Sequence, residues 1–171
     1  MKICYIAMSI DGYIADVNGN VEFLDDYNDN ELLLNSYQEF YKNIDIILMG
    51  RKTYDQVVNE LSKDNWPYPE KQVYVLSKKN NQRNNEVIFI DNIDELFFVN
   101  KDKNIWILGG SKVINLCLNK NLCDKLVLTI IPKILGNGIK LFSKKIDNRL
   151  KVEKIKQYED ILEIEYNIIK E

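Results

Sequence analysis

The sequence predicts an α/β protein, with a mostly parallel central sheet that ends in antiparallel strands and with helices on both faces. Short apolar runs alternate with segments of helical periodicity along most of the chain, which is typical of parallel strands joined by crossover helices. The last two apolar runs instead flank Glu159-Asp160 at hairpin distance. At 171 residues the chain has the length of one ordinary domain, so we expect a single domain over residues 1–171.

The N-terminal half alternates strand and helix. Residues 2–9 form a short apolar segment that ends just before a Gly-rich loop. This pattern predicts a buried strand. Apolar residues recur at helical spacing over residues 30–44, so an amphipathic helix is expected there, with an aromatic stripe on the core side. Residues 45–50 predict a second buried strand, and residues 51–61 predict the helix that follows it.

The C-terminal half continues the alternation before it changes character. Strands are predicted at 72–77, 87–90, 104–110 and 124–132. One helix is predicted to begin near Asp91, because acidic residues follow that position. Another is predicted from Ser111 to about Lys120, because a glycine pair precedes it. Residues 150–158 and 161–169 then predict an antiparallel pair, since apolar residues alternate along the second of them.

Charge and hydropathy exclude several classes of partner. The net charge is −3 and the sequence pI is about 5.2, without the basic stripe that binds nucleic acids or anionic membranes. No stretch approaches the roughly 20 apolar residues that span a bilayer. The first residues also lack the pattern of a secretory signal. We therefore expect a cytoplasmic protein that binds neither nucleic acid nor membrane.

Histidine and cysteine usage excludes several kinds of chemistry. The chain has no histidine, so Ser-His and Cys-His nucleophiles are absent, together with the usual imidazole metal ligands. Cys4, Cys117 and Cys123 show no Cys-x-x-Cys spacing and are expected to be core thiols. No metal site is expected.

Polar and glycine residues follow three predicted strands at their carboxyl ends, where ligands bind in open α/β sheets. The three groups are Gly50 with Arg51, Lys52 and Thr53; Ser77 with Lys78 and Lys79; and Gly109-Gly110 with Ser111. Bare backbone, cations and hydroxyls suit phosphate oxygens. Each group also has a purely structural interpretation as a solvated turn, the start of a polar loop or a helix cap. Their joint occurrence favours a phosphate-bearing ligand, although neither common nucleotide-binding glycine motif is present.

Five segments of the chain form a recognisable series: IAMSIDGYIA, ILMGRKTY, YVLS, WILGGSKV and LTIIPKILGNGIKLF. In order and spacing they resemble the dihydrofolate reductase superfamily. The resemblance is strongest to its branch around the reductase domain of bacterial riboflavin biosynthesis and the small related bacterial reductases. The resemblance implies a dihydrofolate reductase-like three-layer fold. It also implies an NADPH-dependent oxidoreductase that transfers a hydride to a small planar heterocycle, either pterin-like or ribosylaminopyrimidine-like.

The resemblance also implies which residues hold the cofactor. Ala7 would offer its backbone to the nicotinamide carboxamide, and Ile14 would pack near the ring. A cis peptide bond between Gly109 and Gly110 would turn nearby amides toward the pyrophosphate. The remaining cofactor contacts would be Gly50, Arg51, Lys52, Thr53, Ser77, Lys78, Ser111, Lys112 and Val113. Because Arg51, Lys52, Lys78 and Lys79 are cations that suit a ribose phosphate, NADPH is favoured over NADH.

The substrate site is less well defined by the sequence. Classical members of the superfamily place a carboxylate on the first helix, but here Leu34 and Asn35 fall near that position, which argues against dihydrofolate. Asp11 is the tentative catalytic residue, with a turn aspartate as the alternative. The tentative substrate residues are Phe23, Tyr37 and Tyr41, which could stack on a heterocycle or belong to the core.

Two functions from different classes remain open at this stage. The first is a stand-alone NADPH-dependent reductase, and the second is a non-catalytic nucleotide-binding protein on the same fold. Residues 134–142 and the C-terminal strands resemble the segments that pair subunits in the riboflavin branch. A homodimer is therefore expected.

Overall fold

The computed structural model describes residues 1–27, 29–78, 87–142 and 146–170. Within these residues the strands are β1 (Lys2–Ser9), β2 (Tyr13–Ala15), β3 (Ile46–Gly50), β4 (Gln72–Leu76), β5 (Val87–Ile90), β6 (Ile105–Gly109), β7 (Lys125–Ile131), β8 (Ile139–Lys140), β9 (Arg149–Tyr158) and β10 (Ile161–Ile169). Eight of them form one sheet in the order β5-β4-β3-β6-β1-β7-β10-β9. The pairs from β5 to β7 are parallel, and β10 is antiparallel to both β7 and β9. The predicted sheet is thereby confirmed.

The helices cover both faces of the sheet. They are α1 (Glu31–Lys42), α2 (Arg51–Gln56), α3 (Asp94–Val99) and α4 (Ser111–Asn119), together with a 3-10 helix over Glu22–Tyr27 and a π-helical turn over Val57–Leu61 that continues α2. Residues of α3 and α4 pack in one core cluster, while α1 and α2 pack in another with the opposite side chains of the strands. The predicted three layers are present.

Two helix boundaries differ from the sequence prediction for physical reasons. The helix expected near Asp91 begins at Asp94, because the side chain of Asn92 accepts a hydrogen bond from the Asp94 amide at 2.9 Å and holds the preceding turn open. The helix predicted over residues 51–61 is α-helical only to Gln56 and then widens into the π-helical turn.

The first helix is anchored by aromatic packing. Asn30 caps it by accepting a hydrogen bond from the Leu33 amide at 2.9 Å. No residue of α1 is fully buried, but Phe40 meets Tyr5 edge to face at 4.6 Å and Trp106 at 5.4 Å between ring centroids. The predicted aromatic stripe therefore faces the sheet and fixes α1 against β1 and β6.

A second, two-stranded sheet joins β2 to β8. Gly138 lies just before β8 at a φ of +140°, and a Cβ atom there would lie 2.2 Å from the backbone oxygen of Ala15. Only glycine allows this approach of the two backbones.

The three cysteines are buried and free, as expected of core thiols. Cys4 and Cys117 lie in the same core cluster as Cys123. In the described parts of the chain, the helices are too short or too polar to cross a bilayer.

Candidate functional site

Three of the predicted strand ends lie side by side at one edge of the central sheet. The strands β4, β3 and β6 are neighbours, with Gly50 opposite Leu76 and Met49 opposite Gly109. The residues that follow these strands therefore meet at one edge, as the parallel topology requires. We call this edge the strand-end cradle and define it by residues 50–53, 77–78 and 109–113.

The backbones in the strand-end cradle approach each other closely. A Cβ atom on Gly50 would lie 3.1 Å from Cγ2 of Val113, and one on Gly110 would lie 3.3 Å from Oγ1 of Thr53. The peptide bond between Gly109 and Gly110 is cis, which confirms the prediction. Gly109 has a φ of +133°, a conformation that side chains disfavour. The paired glycines thus let α2 and α4 begin side by side with bare backbone between them.

The start of α4 carries unpaired hydrogen-bonding capacity. Its N-cap is Gly110, which has no side chain to bond the first amides, and Ser111 is the first helical residue rather than the cap. The amides of Val113 and Ile114 bond the Gly110 carbonyl. The first amides of a helix otherwise lack intrahelical partners and carry a partial positive charge, so this end suits an anionic group.

The predicted cations of the strand-end cradle differ in their exposure and in their side-chain contacts. Lys52, Lys78 and Lys112 are exposed. Nε of Arg51 instead donates to Oδ1 of Asp55 at 2.7 Å, and its guanidinium lies 5.5 Å from the ring centre of Phe89. Lys79 falls outside the described residues. The contact with Asp55 and the stacking on Phe89 hold Arg51 in one place.

A cavity of about 300 Å³ lies beside the N-terminal strand. It is lined by Tyr5, Ile6 and Ala7 of β1, Leu24 and Tyr27 of the 3-10 helix, Asn30, Leu33, Leu34 and Tyr37 at α1, Trp106 of β6, and Thr129 and Ile131 of β7. Cδ1 of Ile6 also lies 3.8 Å from the position of a Cβ on Gly109. Ile6 of β1 therefore lies next to both the cavity and the strand-end cradle.

A family model of the RibD C-terminal domain matches residues 2–162. The chain belongs to the RibD C-terminal domain family. Over 170 residues it is 31% identical to the uncharacterized protein YwjB of Bacillus subtilis, covering 96% of this chain and 95% of that protein. It is 33% identical over 94 residues to a dihydrofolate reductase of Mycoplasma genitalium, covering 51% and 53% of the two chains.

Solved structures agree with this family assignment. A putative riboflavin biosynthesis protein from Shewanella sp. PV-4 matches with a TM-score of 0.86 and 27% identity, over 99% of both chains. A dihydrofolate reductase from Enterococcus faecalis, complexed with NADP(H), shares the fold with a TM-score of 0.68 and 16% identity, over 99% of this chain and 97% of that one. The family and the fold are those of reductases.

In this RibD-family chain, the sequence-predicted substrate residues do not all lie together. Tyr37 lines the cavity. Phe23 does not itself line the cavity but is buried behind it, in a small cluster with Ile161 and with Ile131, which does line the cavity. Tyr41 packs against the core beside Tyr37, and its hydroxyl donates to the Pro69 carbonyl at 3.3 Å. Of the predicted cofactor residues near the ring, Ala7 lines the cavity, while Ile14 packs against the core on the α4 side.

Asp11 of the RibD-family chain holds a loop. Its carboxylate accepts hydrogen bonds from the Ser9 hydroxyl at 2.6 Å and from the amides of Leu135 and Gly136 at 3.1 and 2.8 Å. The Ser9 bond, with the backbone bonds, lowers the pKa of Asp11 to about 2. A carboxyl with this pKa is ionised at neutral pH and does not serve as a proton donor. The geometry therefore favours the alternative interpretation of Asp11 as a structural aspartate.

A buried carboxylate that sequence reasoning missed lies behind the cavity wall. Glu163 of β10 is 1% exposed and accepts a hydrogen bond from the Tyr5 hydroxyl at 2.7 Å. Burial alone would raise the pKa of Glu163, but hydrogen bonds from Lys156, Tyr5 and Ser36 outweigh it and hold the pKa below its usual value. Burial, reinforced by the charge of Glu163, raises the pKa of Tyr5 far above its usual value. The pair is thus a neutral phenol bonded to a carboxylate.

The helix position that bears a carboxylate in classical dihydrofolate reductases remains apolar here. Leu34 lines the cavity, and the nearby Glu39 of α1 is exposed and forms an ion pair with Lys42 at 2.5 Å. Among the described residues that line the cavity there is no carboxylate. The carboxylate of Glu163 is connected to the wall by the hydrogen bond from Tyr5.

Proposed function

We propose that the chain is an NADPH-dependent reductase that transfers a hydride to a small planar heterocycle, either pterin-like or ribosylaminopyrimidine-like. One observation carries the proposal: Ile6 lies next to both a cradle of bare backbone, exposed cations and uncapped amides and a cavity of about 300 Å³. The first part has the chemistry for a dinucleotide, and the second has the size of a small ligand pocket. Membership of a reductase family supports both parts.

The residues of the strand-end cradle fit a dinucleotide cofactor. The amides at the start of α4 would bind the pyrophosphate, with the Thr53 hydroxyl beside them. Side chains at Gly50 or Gly110 would fill the space that this backbone leaves open. Ala7 would position the nicotinamide at the cavity end of the cradle, and Ser77 would lie on the adenosine side. NADPH supplies the hydride when bound, and the protein binds and orients it.

The cavity suits a planar, partly polar substrate. Tyr27, Tyr37 and Trp106 give it aromatic walls, on which a heterocycle can stack. Asn30 and Thr129 add polar groups that would orient the ring.

An NADPH oxidation assay tests the proposal directly. Pterins, ribosylaminopyrimidines, flavins and quinones would be supplied in turn, and the loss of NADPH absorbance would be followed. Consumption with a pterin or a ribosylaminopyrimidine is the expected result. Binding of NADPH without consumption on any compound would favour the second function, a non-catalytic nucleotide-binding protein on the same fold.

The preference for NADPH over NADH provides a separate prediction. We expect Lys52→Ala to weaken NADPH binding severalfold while leaving NADH binding unchanged, because an exposed cation near the ribose interacts with the additional phosphate. Lys63→Ala is the control, since Lys63 is exposed and lies two residues beyond the end of the helical segment that begins at Arg51. Calorimetric titration with both dinucleotides measures the effect. Equal affinities of the parent for both would contradict the preference.

We also propose that the chain forms a homodimer through its C-terminal strands. The edge strand β9 carries exposed apolar side chains at Leu150, Val152 and Ile155, and edge strands of this kind pair readily. Light scattering on the purified chain would give twice the chain mass. Ile155→Lys is expected to return the monomer.

A further inference from the structure

Reduction by hydride requires a proton as well. The hydride leaves a pair of electrons on the nitrogen or oxygen of the reduced double bond, and a positioned acid must neutralise it. The described lining of the cavity offers hydroxyls and one amide but no carboxylate. Asp11 is occupied by loop amides. The hydroxyl groups of the lining are therefore its candidate acids, provided that they can be resupplied with protons.

The Tyr5 hydroxyl is connected to a charged pair. It bonds Oε2 of Glu163 at 2.7 Å, while Nζ of Lys156 bonds Oε1 of the same carboxylate at 2.8 Å. The carboxylate thus bridges a phenol on the cavity side and an ammonium on the outer side. Lys156 is 26% exposed, so solvent reaches it, whereas Glu163 is almost wholly buried. Thr129, which lines the cavity, also hydrogen-bonds Tyr5.

Other groups complete the surroundings of this carboxylate. They are Ser36 of α1 at 2.9 Å, Tyr158 of β9 at 3.4 Å, and Glu165 of β10, which lies 3.2 Å from Lys156 and 3.5 Å from Lys125, itself paired with Glu153. Ser36 and Tyr158 bond Oε1, the oxygen that faces Lys156. Tyr5 instead bonds Oε2, the oxygen on the cavity side, so the proposed route to the cavity passes through Tyr5.

We propose that Tyr5 is the acid of this reductase and that Glu163 and Lys156 resupply its proton from solvent. The inference rests on the proposed function and adds to it the proton path. Tyr5 is assigned as the catalytic residue, because it lines the cavity that would hold the substrate. Glu163 and Lys156 act through Tyr5 and are positioning residues.

The step balances in protons and electrons. The two electrons of the hydride enter the substrate carbon, and the π electrons of its C=N or C=O bond move to the nitrogen or oxygen. That atom takes the proton of Tyr5, which leaves a tyrosinate beside the Glu163 carboxylate. The carboxylate, which carries no proton at rest, then takes one from the Lys156 ammonium and passes it to the tyrosinate. Water reprotonates Lys156. No other oxidant or reductant is needed.

Single-turnover hydride transfer against pH tests the relay in Tyr5→Phe, Glu163→Gln and Lys156→Arg. The parent rate is expected to be independent of pH across the neutral range. Each variant should be about 100-fold slower or more, and its rate should fall as the pH rises because water must supply the proton. Arginine keeps the charge beside Glu163 but does not release a proton, so Lys156→Arg carries the test if Tyr5→Phe does not fold.

Tyr158→Phe is the matched control, since it removes a hydroxyl from the same carboxylate without cutting the path. It should keep the parent pH profile. A second readout needs no turnover: in ¹³C-tyrosine NMR, the signal lost in Tyr5→Phe should titrate at lower pH in Glu163→Gln and should be unmoved in Tyr158→Phe. An active parent with variants of unchanged rate and pH profile would overturn the relay alone. A parent that reduces nothing would overturn the proposed function, and the relay with it.

Discussion

Replacing Gly138 by alanine is expected to lower the free energy of unfolding by about 2–3 kcal/mol. The new Cβ would lie 2.2 Å from the Ala15 oxygen, at a φ of +140° that side chains rarely adopt. The overlap is with backbone, so no side-chain rotation relieves it. For a chain of this length the change corresponds to a fall in Tm of roughly 5–10 °C, measurable by calorimetry or circular dichroism.

Gly136→Ala is the matched control for this prediction. Gly136 lies two residues away in the same loop and also has a positive φ, +75°, but a Cβ there would meet nothing within 4 Å. It should cost only the smaller penalty of the positive φ, about 1 kcal/mol. If both variants lost the same stability, the close approach of residue 138 to β2 would be wrong.

Replacing Lys156 by methionine is expected to cost about 2–3 kcal/mol of stability at neutral pH. The substitution leaves the buried Glu163 carboxylate without its ammonium partner at 2.8 Å. The hydrogen bonds from Tyr5 and Ser36 remain, which keeps the loss below that of a wholly unpaired charge. Lys154→Met, at an exposed position on the same strand, is the control and should change stability little.

The dependence of this loss on pH follows from the pKa of Glu163. In the fold the pKa lies below its ordinary value, so the unfolded chain takes up the proton first as the pH falls. The contribution of Glu163 is therefore fully present above about pH 4.5 and is lost as the pH falls through the folded pKa. The deficit of Lys156→Met should shrink in the same acid range. Urea unfolding from pH 7 to pH 3 measures it, and a deficit independent of pH would contradict the account.

The fold was predictable because its signals are local. The buried run of β3, the cap at Asn30 and the alternation along β10 each occur within a few residues of chain, and each specifies one element. The strand-end cradle was predictable for a related reason. Parallel strands bring their carboxyl ends to one edge, so the positions of Gly50, Ser77 and Gly110 in the chain imply their proximity.

The polar wall of the cavity was not predictable from the same signals. Tyr5 and Glu163 are separated by 158 positions, and their contact depends on the register between β10 and β7, which places Glu163 opposite Thr129. Alternation predicted which face of β10 is buried but not the partner of each residue. Phe23 and Tyr41 show a second limit of prediction from sequence. A pattern of aromatic residues does not reveal whether a ring lines a cavity or packs in the core.

Calorimetric titration of the purified chain with NADPH tests the central claim most directly, namely that the ends of β4, β3 and β6 together hold one dinucleotide. We expect saturable heat with one NADPH per chain. The affinity should fall at least tenfold in Gly110→Val, whose side chain would occupy the space beside Thr53. The absence of heat with the folded parent chain, or an affinity unchanged by the Gly110 substitution, would contradict the claim.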